Sequence, residues 1–176
     1  VKGDADISNV YCDGFGSIKK AVLRMGATCE LSQPGVHHSN AIIERCNQDI
    51  QQGSRVMLVQ AGLPACFWTY AGPYYCFMGN IAEDEDGNSP WKARHGSSFK
   101  GQLIPFGCGV FFLPAPTKYL NSKSASTMSY GIFLGYRLQP GGRWNNEYLV
   151  ADLGDFVSMP LNTYAASKEC WFTPHV

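Results

Sequence analysis

Apolar positions recur along this chain with two different spacings, and the change from one to the other divides it. "ISNVYCD" alternates like a short strand ending at Asp13, and a glycine-containing turn leads from it into the amphipathic helix "SIKKAVLRM", closed by Gly26. "ATCELS" reads as a second strand, stopped by "QPG". Ser39 is placed to cap a helix running to about Ala61, with Gly53 as its weak point, and Pro64 opens another through "ACFWTYAGPYYCFMGNI". The predicted order up to residue 82 is therefore β-α-β-α-α. "SPWKARHG" then reads as one helical turn capped by Ser89 with Pro90 at its first position. Beyond it the period shortens. "IPFGCGVFFLP", "MSYGIFLGYRL" and "NEYLVADLGDFV" are aromatic and β-branched runs parted by "PAP", a serine-rich loop at 121–129 and "QPGG", the pattern of a small antiparallel barrel. No internal repeat is visible.

Length and composition narrow the classes. A chain of 176 residues forms one ordinary domain or two small ones. No run approaches the roughly 18 apolar residues of a membrane span, and the N-terminus lacks the basic-then-apolar layout of a signal peptide, so an intracellular protein is expected. The start at "VKGDADISNV", without an initiator methionine, leads us to expect a piece of a longer chain. Seven cysteines are scattered and never spaced Cys-x-x-Cys, which disfavours a disulfide framework or a zinc finger and predicts reduced thiols, mostly in the core.

The net charge is zero but unevenly laid out. Residues 1–86 carry ten acids against six bases and end in the run "EDED". Residues 87–146 carry seven bases (Lys92, Arg94, Lys100, Lys118, Lys123, Arg137, Arg143) and no acid. We read a boundary there, with an α/β region at 1–86 and a small β-barrel domain at 87–176. A basic, aromatic-containing segment can neutralise phosphates, and a solvated surface with an incidental excess of charge is the alternative.

The helix that begins near Ser39 holds the candidate chemistry. At roughly 100° per residue, Ile42, Cys46 and Ile50 form an apolar stripe, and Asn40, Glu44, Asn47 or Gln48, and Gln51 a polar one. A glutamate at the centre of a polar stripe is most simply a solvated surface charge. Its surroundings open a second reading. The preceding strand and the earlier strand ending at Asp13 can bring two carboxylates to one end of a sheet, and Mg²⁺ is held by a few such hard oxygen ligands while keeping waters or phosphate oxygens.

Asp13 in "VYCDGFGS", followed by "ELSQPGVHHSNAIIER" and "AGLPACFW", resembles the second half of the integrase core of copia-type LTR retrotransposons, a ribonuclease H-like polynucleotidyl transferase. That family has its second catalytic aspartate at a strand end and its catalytic glutamate in an Asn-x-x-x-Glu-Arg helix motif, which Asn40, Glu44 and Arg45 match. "SPWKARHG", "PFGC" and "GIFLGY" resemble the Src-homology-3-like barrel that follows the core in the same polyproteins, so the resemblance covers nearly the whole chain. It implies a partial ribonuclease H-like core followed by that barrel. It also implies Asp13 and Glu44 as catalytic carboxylates and ligands of Mg²⁺ (or Mn²⁺), with phosphate contacts from Asn40, Arg45, His37 and His38; a loop or capping role for each histidine, and a pairing with the glutamate or another surface charge for Arg45, are the alternatives. Lys118, Lys123, Arg137 and Arg143 would contact nucleic acid without sequence preference.

The chain departs from that pattern in several places. The first of the three expected carboxylates should lie several dozen residues before Asp13, and Asp4 and Asp6 are too close to replace it. Gly14 stands where asparagine is usual and Ser17 near a usual acid. Thirty residues separate Asp13 from Glu44, a few fewer than usual, with the shortage in the intervening helix. The zinc-binding region that precedes such cores has no counterpart.

Three function classes follow. The chain is part of a Mg²⁺-dependent integrase that inserts element cDNA into host DNA, inactive alone. Alternatively it is a non-catalytic nucleic-acid-binding or assembly module, or it is a decayed or domesticated element. The first implies as partners the cDNA ends, target DNA, the rest of the Pol polyprotein and further copies of the full-length protein, but no membrane. The compartment it implies is the nucleus or a cytoplasmic virus-like particle. The aromatic residues Phe67, Trp68, Tyr70, Tyr74 and Tyr75 are expected in a core rather than stacked on bases.

Overall fold

A computed structural model describes residues 7–12, 14–32, 41–114, 124, 126–157 and 174–176. The fold is mixed α/β, and its contacts form two compact units, residues 1–49 and 50–176. Every predicted element within the described residues is present, with its ends shifted by a few residues.

The first unit is built on a β-α-β arrangement. Strand β1 (Asn9–Cys12), helix α1 (Gly16–Arg24) and strand β2 (Thr28–Leu31) follow one another, and β1 pairs β2 in parallel from Asn9 opposite Thr28 to Cys12 opposite Leu31. A parallel pair needs a crossover, and α1 supplies it. Gly26, at φ +76°, turns the chain out of α1 in a conformation that costs glycine little. Thr28 fastens the start of β2, its hydroxyl donating to the Ser8 carbonyl at 2.8 Å and lying 3.0 Å from Asn9 Oδ1. Val22 and Ala27 are the buried apolar residues among those described in this unit.

Helix α2 (Ala41–Ala61) contains the division between the units, at Asp49 and Ile50. It runs unbroken through Gly53. A Cβ at that position would collide with the Tyr75 ring, so the missing side chain is a packing feature rather than a weak point. Ser54 beside it is fully buried, with its hydroxyl donating to the Ile50 carbonyl at 2.6 Å.

In the second unit a 3₁₀ turn (Ala65–Phe67) leads into α3 (Trp68–Ile81), which presents Ala71, Tyr74, Phe77 and Ile81 as one buried face. That face packs on a three-stranded antiparallel sheet in the order β3 (Gly109–Phe112), β4 (Ser129–Gln139), β5 (Arg143–Asp152). Tyr136 of β4 is the centre of the packing, stacked at 4.5 Å on Phe77 and edge-on to Phe99 and Trp144. Its hydroxyl donates to the Gln102 carbonyl at 2.7 Å and accepts from the Ile104 amide at 3.1 Å. Tyr74 likewise donates to the Ile104 carbonyl at 2.9 Å, so the extended segment before β3 is held by two buried phenols. Burial pushes both phenols above their ordinary 10.0, because the charged form would lose its water. Gly131 has no side chain where Phe112 and Val150 close over the sheet and the Ala151 carbonyl approaches.

The short helix α4 (Pro90–His95) forms as predicted, the Ser89 hydroxyl accepting from the Lys92 amide at 3.1 Å and Gly96 closing it at φ +76°. The acidic run lies in the turn between α3 and α4, inside the second unit, where the Asp84 carboxylate accepts from the Asn88 amide at 2.7 Å. Among the described residues the sheet is open and does not close into a barrel. Its β5 edge takes up His175, which exchanges two backbone hydrogen bonds with Val150.

One expectation needs correction. Cys46 and Cys76 are exposed and Cys12, Cys29, Cys66 and Cys108 half-buried, so none of the six described thiols is fully buried, although Cys66 and Cys108 pack against the core. Along the stripe Ile42, Cys46, Ile50, the first two are exposed, Ile42 at 81 %, and Ile50 is half-buried. The aromatics behave largely as expected, Phe67 and Tyr74 being buried and Tyr70 and Tyr75 half-buried, while Trp68 stays 39 % exposed.

Candidate functional site

Glu44 lies in the first turn of α2. Its side chain and that of Arg45 are both exposed, and neighbours in sequence on a helix point in different directions. Because β1 and β2 are parallel and in register, Cys12 and Leu31 stand level at the carboxyl end of the sheet, the end at which open α/β sheets bind ligands. Asp13 follows Cys12 directly in the chain, but it lies outside the described residues, as do His37, His38 and Asn40. No group of three or more metal-ligating side chains gathers among the described residues. Glu44 is the one described member of the carboxylate pair.

The basic candidates split in the same way. Lys118 and Lys123 lie outside the described residues, while Arg137 and Arg143 stand near the tip of the β4–β5 hairpin. Arg143 is opposite Gln139 in the ladder, and opposite residues share a face. Gln139 donates to Glu147 Oε2 at 2.8 Å, and Arg137 Nε lies 3.6 Å from the same oxygen, a surface ion pair with half of the Arg137 side chain in water. Arg94 joins them from α4, its guanidinium donating to the Gly141 carbonyl at 2.8 Å. In the sequence Arg94 stands out only as one charge among seven. The "QPGG" turn was the available signal for its role, because a glycine turn leaves its carbonyls open to a donor.

A groove of about 730 Å³ lies on the sheet between Val110, Phe112, Phe133, Tyr148, Val150 and His175. Its walls are largely apolar, and Glu147 at its rim already accepts from Gln139, so it does not suit a phosphate.

Compared with protein-family models, with curated proteins and with solved structures, the chain matches none. No helix of the described residues is long and apolar enough to cross a membrane.

Proposed function

We propose that this chain is part of a retrotransposon integrase, a Mg²⁺-dependent DNA strand transferase, comprising the second half of a ribonuclease H-like core and a following Src-homology-3-like domain. The observation that carries this reading is the order of motifs in the sequence: a strand ending before Asp13, a helix, a second strand, and the helix bearing Asn40, Glu44 and Arg45. The β1-α1-β2-α2 order supports it, as does the parallel pairing that aligns the carboxyl ends of the two strands. A two-stranded parallel sheet with one face exposed and the other only half-buried also suits part of a larger sheet, since parallel strands are ordinarily covered on both sides.

In this reading Asp13 and Glu44 supply hard oxygen ligands, and a third carboxylate comes from sequence preceding this chain. Bound Mg²⁺ would activate the attacking hydroxyl and stabilise the leaving oxygen in an in-line displacement at phosphorus. Asn40, His38 and Arg45 would hold the phosphate backbone near the carboxylates. Arg137, Arg143, Lys118 and Lys123 would bind the duplex through its charge.

A second reading, a nucleic-acid-binding or assembly module without catalysis, is favoured by the contrast between a well-packed second unit carrying an arginine-bearing hairpin and a carboxylate set that this chain does not complete. One experiment separates the two. In a protein extended upstream to include the first carboxylate, Glu44→Gln is expected to lower Mg²⁺-dependent joining of DNA ends by a factor on the order of 10³ or more while leaving duplex binding intact. The pair Arg137→Ala and Arg143→Ala is expected to weaken binding and to flatten its salt dependence by about one unit of slope for each phosphate no longer neutralised. Unchanged joining by Glu44→Gln would remove Glu44 from the catalytic set and leave the second reading.

A further inference from the structure

Cys12 and Cys29 are not singled out by their spacing in the sequence, yet their sulfurs lie 3.5 Å apart across the two strands of the first unit. The register explains the approach. Cys12 stands opposite Leu31 and Cys29 opposite Val10, so the two cysteines are offset by two residues on adjacent strands and share a face of the sheet. Both are half-buried, within reach of a small oxidant.

We propose that Cys12 and Cys29 form an oxidation site at which hydrogen peroxide produces an intramolecular disulfide. In the first step one sulfur attacks the peroxide; the O–O bond breaks, a sulfenic acid forms and one water leaves. In the second step the other sulfur attacks that sulfenic acid; the S–O bond breaks, the S–S bond forms and a second water leaves. The two sulfurs together lose two electrons and the peroxide gains them, and a dithiol reductant reverses the change.

Bond formation draws the sulfurs from 3.5 Å to about 2.05 Å. The strands have little to resist that movement. Each is four residues long, and among the described residues no third strand holds them. The bond would fix the carboxyl end of β1, one residue before Asp13. The proposal rests on the sulfur geometry and is independent of the integrase reading.

The competing outcome is oxidation governed by access alone, which would fall first on the exposed Cys46 and Cys76. The two are distinguished by treating the fully reduced chain with an equivalent of hydrogen peroxide, blocking remaining thiols with N-ethylmaleimide, and digesting with trypsin without reductant. Cleavage after Lys2, Lys19, Arg24 and Arg45 places Cys12 in peptide 3–19 and Cys29 in peptide 25–45, each with a single cysteine. The expected product is these two peptides joined, about 2 Da lighter than their sum, exceeding every other cysteine pairing by about tenfold because the partners are held together before reaction. Cys29→Ser is expected to abolish the linked peptide and leave Cys12 without a partner peptide. Alkylated Cys12 and Cys29 alongside oxidised Cys46 or Cys76 would overturn the proposal, as would Cys12 cross-linking equally well in Cys29→Ser.

Discussion

Residues 1–49 and 50–176 are both made of regular elements with amphipathic patterning, but they differ in what they bury. The second unit places Phe67, Ala71, Phe133, Leu134 and Ala151 at 1 % exposure or less and surrounds Tyr136 with rings. In the first, Val22 and Ala27 are buried while Ile7, Tyr11, Phe15, Ile18, Leu23, Met25 and Leu31 are all at least 42 % exposed. Burying a large apolar side chain contributes about 1.5–3 kcal/mol, against about 1–2 kcal/mol for ordering each residue's backbone. Each buried side chain offsets part of that cost, and the second unit has many of them where the first has Val22 and Ala27 among its described residues. Amphipathic elements make a core only when something lies against their apolar faces.

The contrast can be broken most directly by truncating one side chain in each unit. Phe133→Ala is expected to cost about 3–5 kcal/mol in urea unfolding, from lost burial and the cavity left behind. Ile42→Ala, at an exposed site in the same chain, is expected to change stability by no more than about 0.5 kcal/mol. Comparable losses would mean that Ile42 is covered in solution. Native-state hydrogen exchange sharpens the same point amide by amide. Those of β1 and β2 are expected to exchange about 100-fold faster than those of β4 and β5, because opening the strand pair exposes little apolar surface. Equal protection would place the first unit inside the cooperative core.

The smallest effect is electrostatic. Burial raises Tyr74 and Tyr136 above 10.0 and Cys108 above 9.0, so each group holds its proton more tightly folded than unfolded. The stability this contributes is fully present below those ordinary values and is lost as the pH rises through the raised ones. Urea midpoints taken up the alkaline range are expected to fall from about pH 9 upward, with Tyr136→Phe showing a shallower fall. An unchanged pH profile in that variant would mean that Tyr136 does not titrate with unfolding.

Much of the local structure was legible. Ser89 and Pro90 marked the start of α4, Gly26 and Gly96 marked helix ends, and the runs around Val110, Phe133 and Val150 marked strands, because capping, positive φ and two-residue alternation are local properties. Gly53 was misread for the opposite reason: by propensity glycine weakens a helix, whereas here it makes room for Tyr75 from another helix. Of the candidate site, Glu44 and Arg45 were expected on a helix and both lie near the start of α2, and Arg137 and Arg143 fall beside a turn that the "QPGG" run announces. The reach of Arg94 to Gly141 spans residues far apart in sequence, and no periodicity reports such a pair.

By itself, then, the amino-acid sequence determined the kinds of element, most of their ends, the aromatic character of the core and the position of Glu44 on its helix, since each depends on residues within a turn or two. Tertiary structure alone decided which patterned faces are covered. It left Ile42 and Cys46 exposed while burying the face Ala71, Tyr74, Phe77, Ile81, and it left the antiparallel sheet open among the described residues. It also brought the sulfurs of Cys12 and Cys29 into contact. The physical reason is the same in each case: hydrophobic burial and side-chain contact depend on what lies across a gap in space, and the chain that fills the gap can come from any distance along the sequence.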